Sequence, residues 1–219
     1  MDVNHPEIRG AKETNTPSVV AVVGSTDGML GQYCAKIVAV TTPKSIDEPV
    51  QGLSEVIGAV IDTFVRRNNS KFPKRIIVYR DGVADNQFND VIKQELVAYK
   101  EALSLRGYNE DSVKVAIVIC QKRHQTRLVY ENGENDFRNP CVGLCVDART
   151  SLGDGKKGQP QTVDNEVGSI NTTNLNEFYL NSHAAVLGTS KPCKYTLIYD
   201  EVGMKVSCID VVVVRVILQ

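Results

Sequence analysis

Tryptophan is absent, histidine is limited to three residues, and the 25 basic side chains are almost cancelled by 26 acidic ones. A formal net charge of −1 excludes binding of a polyanion through overall charge. Any nucleic-acid contact must come from a local basic patch. No apolar run approaches the roughly 20 residues of a membrane-spanning helix, and the opening MDVNHPEIRG lacks the pattern of a secretory leader. The six cysteines are scattered singly apart from Cys141 and Cys145, whose C-x3-C spacing has no second pair. That argues against a structural zinc site and for buried, reduced thiols.

What is present is core-forming material. Hydrophobic residues make up 42% of 219, enough for one large domain or two small ones. SVVAVVG at 18–24 and YCAKIVAV at 33–40 flank the turn-rich STDGMLGQ and predict an antiparallel hairpin. Leu53, Val56, Ile57, Val60, Ile61 and Phe64 fall on one helical face, with Pro49 suited to the first helical position. A strand, IIVY at 76–79, follows. Phe88, Ile92, Leu96, Tyr99 and Leu103 then predict a helix from about 86 to 106, stopped by Gly107. VKVAIVIC at 113–120 and KYTLIYD at 194–200 are further strands. Residues 131–174 are polar and Gly-rich, with only CVGLCVDA patterned, and are expected to be a loop insertion. Residues 206–219 form an atypical, β-favouring tail. The order of elements predicts an α/β fold with a mixed central sheet flanked by helices, which suits a ribonuclease-H-like architecture.

In such folds, carboxylates at neighbouring strand ends share divalent cations. Asp81 follows the strand IIVY, and Asp2 sits at what looks like the end of another. On position alone, a turn aspartate is the commoner reading of each.

Several segments together carry a specific resemblance. They are DVNHP at Asp2–Pro6, PSVVAVVGS at Pro17–Ser25, IIVYRDGVADNQF at Ile76–Phe88 and QKRHQTR at Gln121–Arg127. TVD at Thr162–Asp164 and FYLNSHAAVLGTSKP at Phe178–Pro192 complete the set. In this order they resemble the PIWI domain of the Argonaute family, eukaryotic in type and incomplete at both ends, with the domain running over 1–205.

The resemblance implies an RNA-slicing site of the Asp-Glu-Asp type with a fourth His or Asp. It maps the first Asp onto Asp2 and the second onto Asp81. Glu48 fits the glutamate best, with Asp47 as competitor and a helix-end charge as the plain alternative. Asp2 and Asp81 would hold Mg²⁺ or Mn²⁺. The fourth residue has no counterpart here, because the sequence after Gly203 departs from the family and His5, His124 and His183 belong to other motifs.

A basic cluster is usually a solvated face. The resemblance instead places Lys122, Arg123 and Arg127, joined by His183 and Lys191, along the backbone of a guide RNA. Such contacts go to phosphates and hold the strand without reading its sequence. Lys191 stands where the family often has Arg, keeping the charge without the bidentate fork. The implied partners are guide small RNA, complementary target RNA and silencing partner proteins, with no membrane and an intracellular location, cytoplasmic or nuclear. Two functions follow from the resemblance. One is a metal-dependent endoribonuclease in the complete parent. The other is a non-cleaving RNA-binding module, or an inactive fragment.

Overall fold

The computed structural model describes residues 1–4, 18–40, 52–108, 112–131, 134, 136–147 and 177–204. The chain divides into two units. The first is Met1–Ile117 with Ile198–Val202, and the second is Val118–Leu197 with Gly203–Gln219.

In the first unit, β1 (Asp2–Asn4), β2 (Ser18–Ser25) and β3 (Tyr33–Val40) form an antiparallel sheet in that order. The predicted hairpin is β2–β3, paired from Ser18↔Val40 to Ser25↔Tyr33. Alternation sorts its residues by face. Val20 and Val22 are buried, whereas Val19 and Val23 are exposed. Helix α1 (Leu53–Arg67) packs on this hairpin, and its Leu53, Ile57, Val60 and Ile61 are buried. Contact is close enough that a Cβ at Gly24 would lie 2.3 Å from Val60 Cγ1. The helix starts at Leu53, directly after Gly52 in the left-handed region. Pro49 lies outside the described residues.

Strand β4 (Arg75–Asp81) is longer than the IIVY core, so Asp81 closes the strand and Gly82, at φ 78°, makes the turn. The helix expected next has a break in its period. A 3-10 turn (Asp85–Gln87) leads into α2 (Phe88–Val91), a π turn spans Ile92–Leu96, and α3 (Val97–Ser104) completes it. Val91 and Glu95 are buried, while Phe88, Ile92 and Leu96, expected on the core face, are only half-buried. The end at Gly107 is as predicted. Gly107 N–H bonds Ser104 O at 2.9 Å and Tyr108 N–H bonds Leu103 O at 3.1 Å, with Gly107 at φ 76°.

Strand β5 (Lys114–Gln121) is buried from Val115 to Cys120, as befits an interior strand. The larger sheet has the order β4-β5-β10-β9-β8. Both β5 and β10 (Cys193–Asp200) run through the two units. In the second unit, β9 (Glu177–Leu180) pairs antiparallel with β10 and with β8 (Cys145–Asp147). Part of the stretch expected as an insertion is therefore built into the sheet, because Cys145–Asp147 hydrogen-bonds along β9. A small hairpin of β6 (Tyr130–Glu131) and β7 (Phe137–Arg138) precedes it. Phe178 stacks on Tyr195 with ring centroids 4.8 Å apart.

The expectation of buried, reduced cysteines holds in part. Cys120 and Cys193 are buried free thiols, but Cys34 is half-buried and Cys141 exposed. Cys145 is disulfide-bonded. No described helix is long and apolar enough to cross a membrane.

Candidate functional site

The carboxylate site belongs to the first unit. Met1 N–H donates to Tyr79 O at 2.8 Å, and Asp81 N–H donates to Met1 O at 3.2 Å. This is the bonding pattern of parallel neighbours, with Met1 opposite Arg80. Asp2 therefore takes the register position beside Asp81, about 4.8 Å away across the strands. The described residues settle this backbone placement, and Asp81 itself is half-buried. Glu48 and its competitor Asp47 lie outside the described residues. Among the described residues, no group of three or more His, Cys, Asp or Glu is placed to hold a metal ion.

Asp81 is held by its neighbours. Arg80 alternates to the opposite face and is only 6% exposed. Its Nε donates to Glu95 Oε1 at 2.8 Å, and its Nη1 donates to the Asp81 carbonyl. Tyr99 is buried beside this pair, with its hydroxyl 3.9 Å from Met1 Sδ. Burial, with the Glu95 charge adding to it, pushes the Tyr99 phenol above its ordinary pKa. Elsewhere in this unit, Glu201 accepts from Lys100 Nζ at 2.7 Å, Tyr199 Oη at 2.6 Å and Val115 N–H at 2.9 Å.

The basic site belongs to the second unit. The Lys122–Arg127 segment follows β5, while His183 and Lys191 lie on the segment joining β9 to β10. His124 ties the two segments together. Its Nε2 lies 2.8 Å from Pro192 O, and its ring meets Tyr179 edge-on at 5.4 Å between centroids. Because the Pro192 carbonyl can only accept, Nε2 carries the proton, and Nδ1 is buried with no hydrogen-bond partner among the described residues. Burial lowers the His124 pKa, the Pro192 bond opposes that, and Arg127 and Lys194 reinforce it. His124 is thus a neutral fastening.

Lys122, Arg123, Arg127, His183 and Lys191 are all exposed around this fastening. Arg127 also braces its own loop, donating through Nη1 to Thr126 O at 2.8 Å and His124 O at 3.0 Å. The Ser182 hydroxyl lies 3.1 Å from His183 Nδ1.

Two asparagines that the sequence reading passed over shape the second segment. Asn181, fully buried, donates through Nδ2 to Pro140 O at 3.0 Å and Cys141 O at 3.2 Å. Asn139 donates to Gly188 O at 2.7 Å and accepts from Ser190 N–H at 2.9 Å. Their only sequence signal is a short polar residue beside Pro140 and at a strand end, the positions where side chains replace backbone partners.

Comparison with solved structures gives the same architecture. The C-terminal lobe of a budding yeast Argonaute matches with a TM-score of 0.70 at 24% identity, over 95% of this chain and 38% of that one. Kluyveromyces polysporus Argonaute, solved with a guide RNA, matches at 0.68 and 24% identity, over 96% of this chain and 22% of that one. Drosophila Piwi matches at 0.59 and 18% identity, over 93% and 24%. The chain thus spans well under half the length of each of these proteins. The shared fold is the ribonuclease-H-like mixed sheet flanked by helices. The family model described as Piwi domain matches residues 1–214, nearly the whole sequence, and the chain belongs to that family.

Proposed function

We propose that this chain is the PIWI module of an Argonaute-like protein that holds a guide small RNA paired with its target RNA inside the cell. The observation carrying this reading is the exposed Lys122, Arg123, Arg127 and Lys191, with the exposed His183, on two segments fastened by His124 and Pro192. In a nearly neutral chain, such a patch suits phosphates better than base edges. A guide base-pairs with its target, so the protein needs only to hold the backbone.

Asp2 and Asp81 are the second element of the proposal. Hard carboxylate oxygens on adjacent strands fit Mg²⁺ or Mn²⁺. When bound, the cation would neutralise charge on the scissile phosphate and lower the pKa of a water. The chain's own contribution is to set Asp81 at a strand end and to present the guide's phosphates from a braced loop. Cleavage would be an activity of the complete protein.

The test is RNA binding across a salt series, with unrelated guide sequences. Arg123→Ala should weaken binding equally for all guides, and should lower the slope of log affinity against log salt by about 0.7 per lost single-strand contact. Arg127→Ala should do the same and also loosen the loop. Sequence-dependent losses, or affinity indifferent to salt, would reject the reading. Cleavage of a guide-paired target by the complete protein, with and without Asp81→Ala, separates a slicer from a non-cleaving module.

A further inference from the structure

We infer that the buried Arg80–Glu95 pair is a positioning device for Asp81, and that affinity for a divalent cation at Asp2 and Asp81 depends on it. This rests on the reading that those carboxylates hold a cation.

A buried ion pair contributes little to stability by itself. Desolvating both charges roughly offsets their attraction, and an apolar pair of the same volume often serves as well. Here the arrangement is costlier still, because Glu95 Oε2 is buried with no hydrogen-bond partner among the described residues. Glu95 also lies on the π turn at Ile92–Leu96, a departure from the regular helix. Such turns collect at functional sites.

The geometry shows what the pair can do. Arg80 precedes Asp81 on β4, so its side chain goes to the opposite face of the strand. Glu95 anchors Nε at 2.8 Å, which sets the plane of the guanidinium. Nη1 of the same rigid fork then donates to the Asp81 carbonyl. The Asp81 N–H is already bonded to Met1 O at 3.2 Å. Both backbone polar groups of Asp81 are therefore held, one by Met1 and the other by the Arg80 fork. The next residue, Gly82 at φ 78°, is where a free strand end would otherwise swivel. Fixing the peptide on both sides of Asp81 fixes its Cα–Cβ direction, and a carboxylate ligand is only as well placed as that bond. A lysine cannot substitute, since one ammonium has no planar fork to satisfy a carboxylate and a carbonyl in fixed directions.

The experiment is Mn²⁺ titration of the full chain, followed by the electron paramagnetic resonance signal of free Mn²⁺, with thermal unfolding in metal-free buffer alongside. The variants are Arg80→Lys, the double substitution Arg80→Met with Glu95→Met, and Asp81→Asn. The double variant removes both charges at similar volume, so it should unfold near the parent temperature yet bind Mn²⁺ roughly tenfold or more weakly, the usual scale for loss of a group that orients a ligand. Arg80→Lys should also weaken Mn²⁺ binding, and Asp81→Asn should abolish it. A folded double variant that binds Mn²⁺ like the parent overturns the positioning role and leaves the carboxylate site standing. Should the double variant not fold, Arg80→Lys decides: unchanged Mn²⁺ affinity overturns the proposal, and weakened affinity supports it. A parent chain that binds no Mn²⁺, or an Asp81→Asn variant that binds it normally, overturns the cation site and the positioning role together.

Discussion

Asn181 offers the sharpest test of how the second basic segment is held. It follows the last residue of β9 and stands two positions before His183. Its Nδ2 serves the carbonyls of Pro140 and Cys141, and its backbone bonds Leu144 O and Gly143 N–H, each at 2.8 Å. Substitution by Ala leaves the backbone bonds but takes Nδ2 from Pro140 O, while Cys141 O keeps the Leu144 N–H at 3.2 Å. An unsatisfied buried acceptor costs about 1–3 kcal/mol. Oδ1 has no hydrogen-bond partner among the described residues, so no such bond is lost there. The Cys141 bond is longer, only partly buried and backed by Leu144 N–H, so the loss stays near about 1–3 kcal/mol. For a chain of this size that is a fall of roughly 2–12 °C in Tm. Asn181→Asp should be at least as harmful, since it turns a carboxylate oxygen toward two carbonyl oxygens. Calorimetry with urea titration measures both variants. An Asn181→Ala protein within about 0.5 kcal/mol of the parent, the range of an ordinary surface change, would refute the account.

Three other outcomes are expected. Asn139→Ala should change global stability less than Asn181→Ala but speed hydrogen exchange at Ser190, whose N–H it now binds at 2.9 Å; an unchanged rate would show that the segment does not need it. Glu201 is held down to about 2 despite partial burial, by Lys100, Tyr199 and Val115 N–H. A carboxylate with a lowered folded pKa contributes fully above its unfolded value and progressively less as the pH falls. Screening at this part-exposed site limits the contribution to about 1 kcal/mol. Glu201→Gln should therefore be less stable at neutral pH and converge with the parent between pH 4.5 and about 2 in urea unfolding; a constant gap would refute this. Gly24→Ala should cost about 1–3 kcal/mol through its clash with Val60 Cγ1, and less when Val60 is also Ala, as a double-mutant cycle would read.

Much of the scaffold is written in local patterns. The alternation in SVVAVVG and YCAKIVAV specifies the hairpin because a strand's side chains alternate with period two. The Leu53 to Phe64 stripe specifies α1 for the corresponding reason at period 3.6. Gly107 marks a helix end because the left-handed position it occupies favours a residue without Cβ. The motifs around Asp81 and Lys122–Arg127 pointed to the family before any coordinates. Other features have no local signature. Residues 92–96 carry no sign of a π turn, and nothing local tells that the core face passes through Glu95 rather than through Ile92 and Leu96.

The sequence by itself determined the element types, the basic cluster and the family. Tertiary structure decided which residues meet. Asp2 reaches the level of Asp81 through a bond between Met1 and Tyr79, 78 positions apart. His124, within the Gln121–Arg127 motif, is a neutral fastening because its ring packs on Tyr179 and bonds Pro192, 68 positions away. Periodicity reports the face on which a residue lies. It carries no information about the partner waiting there, because the hydrogen bond that selects the partner forms only after distant segments have packed.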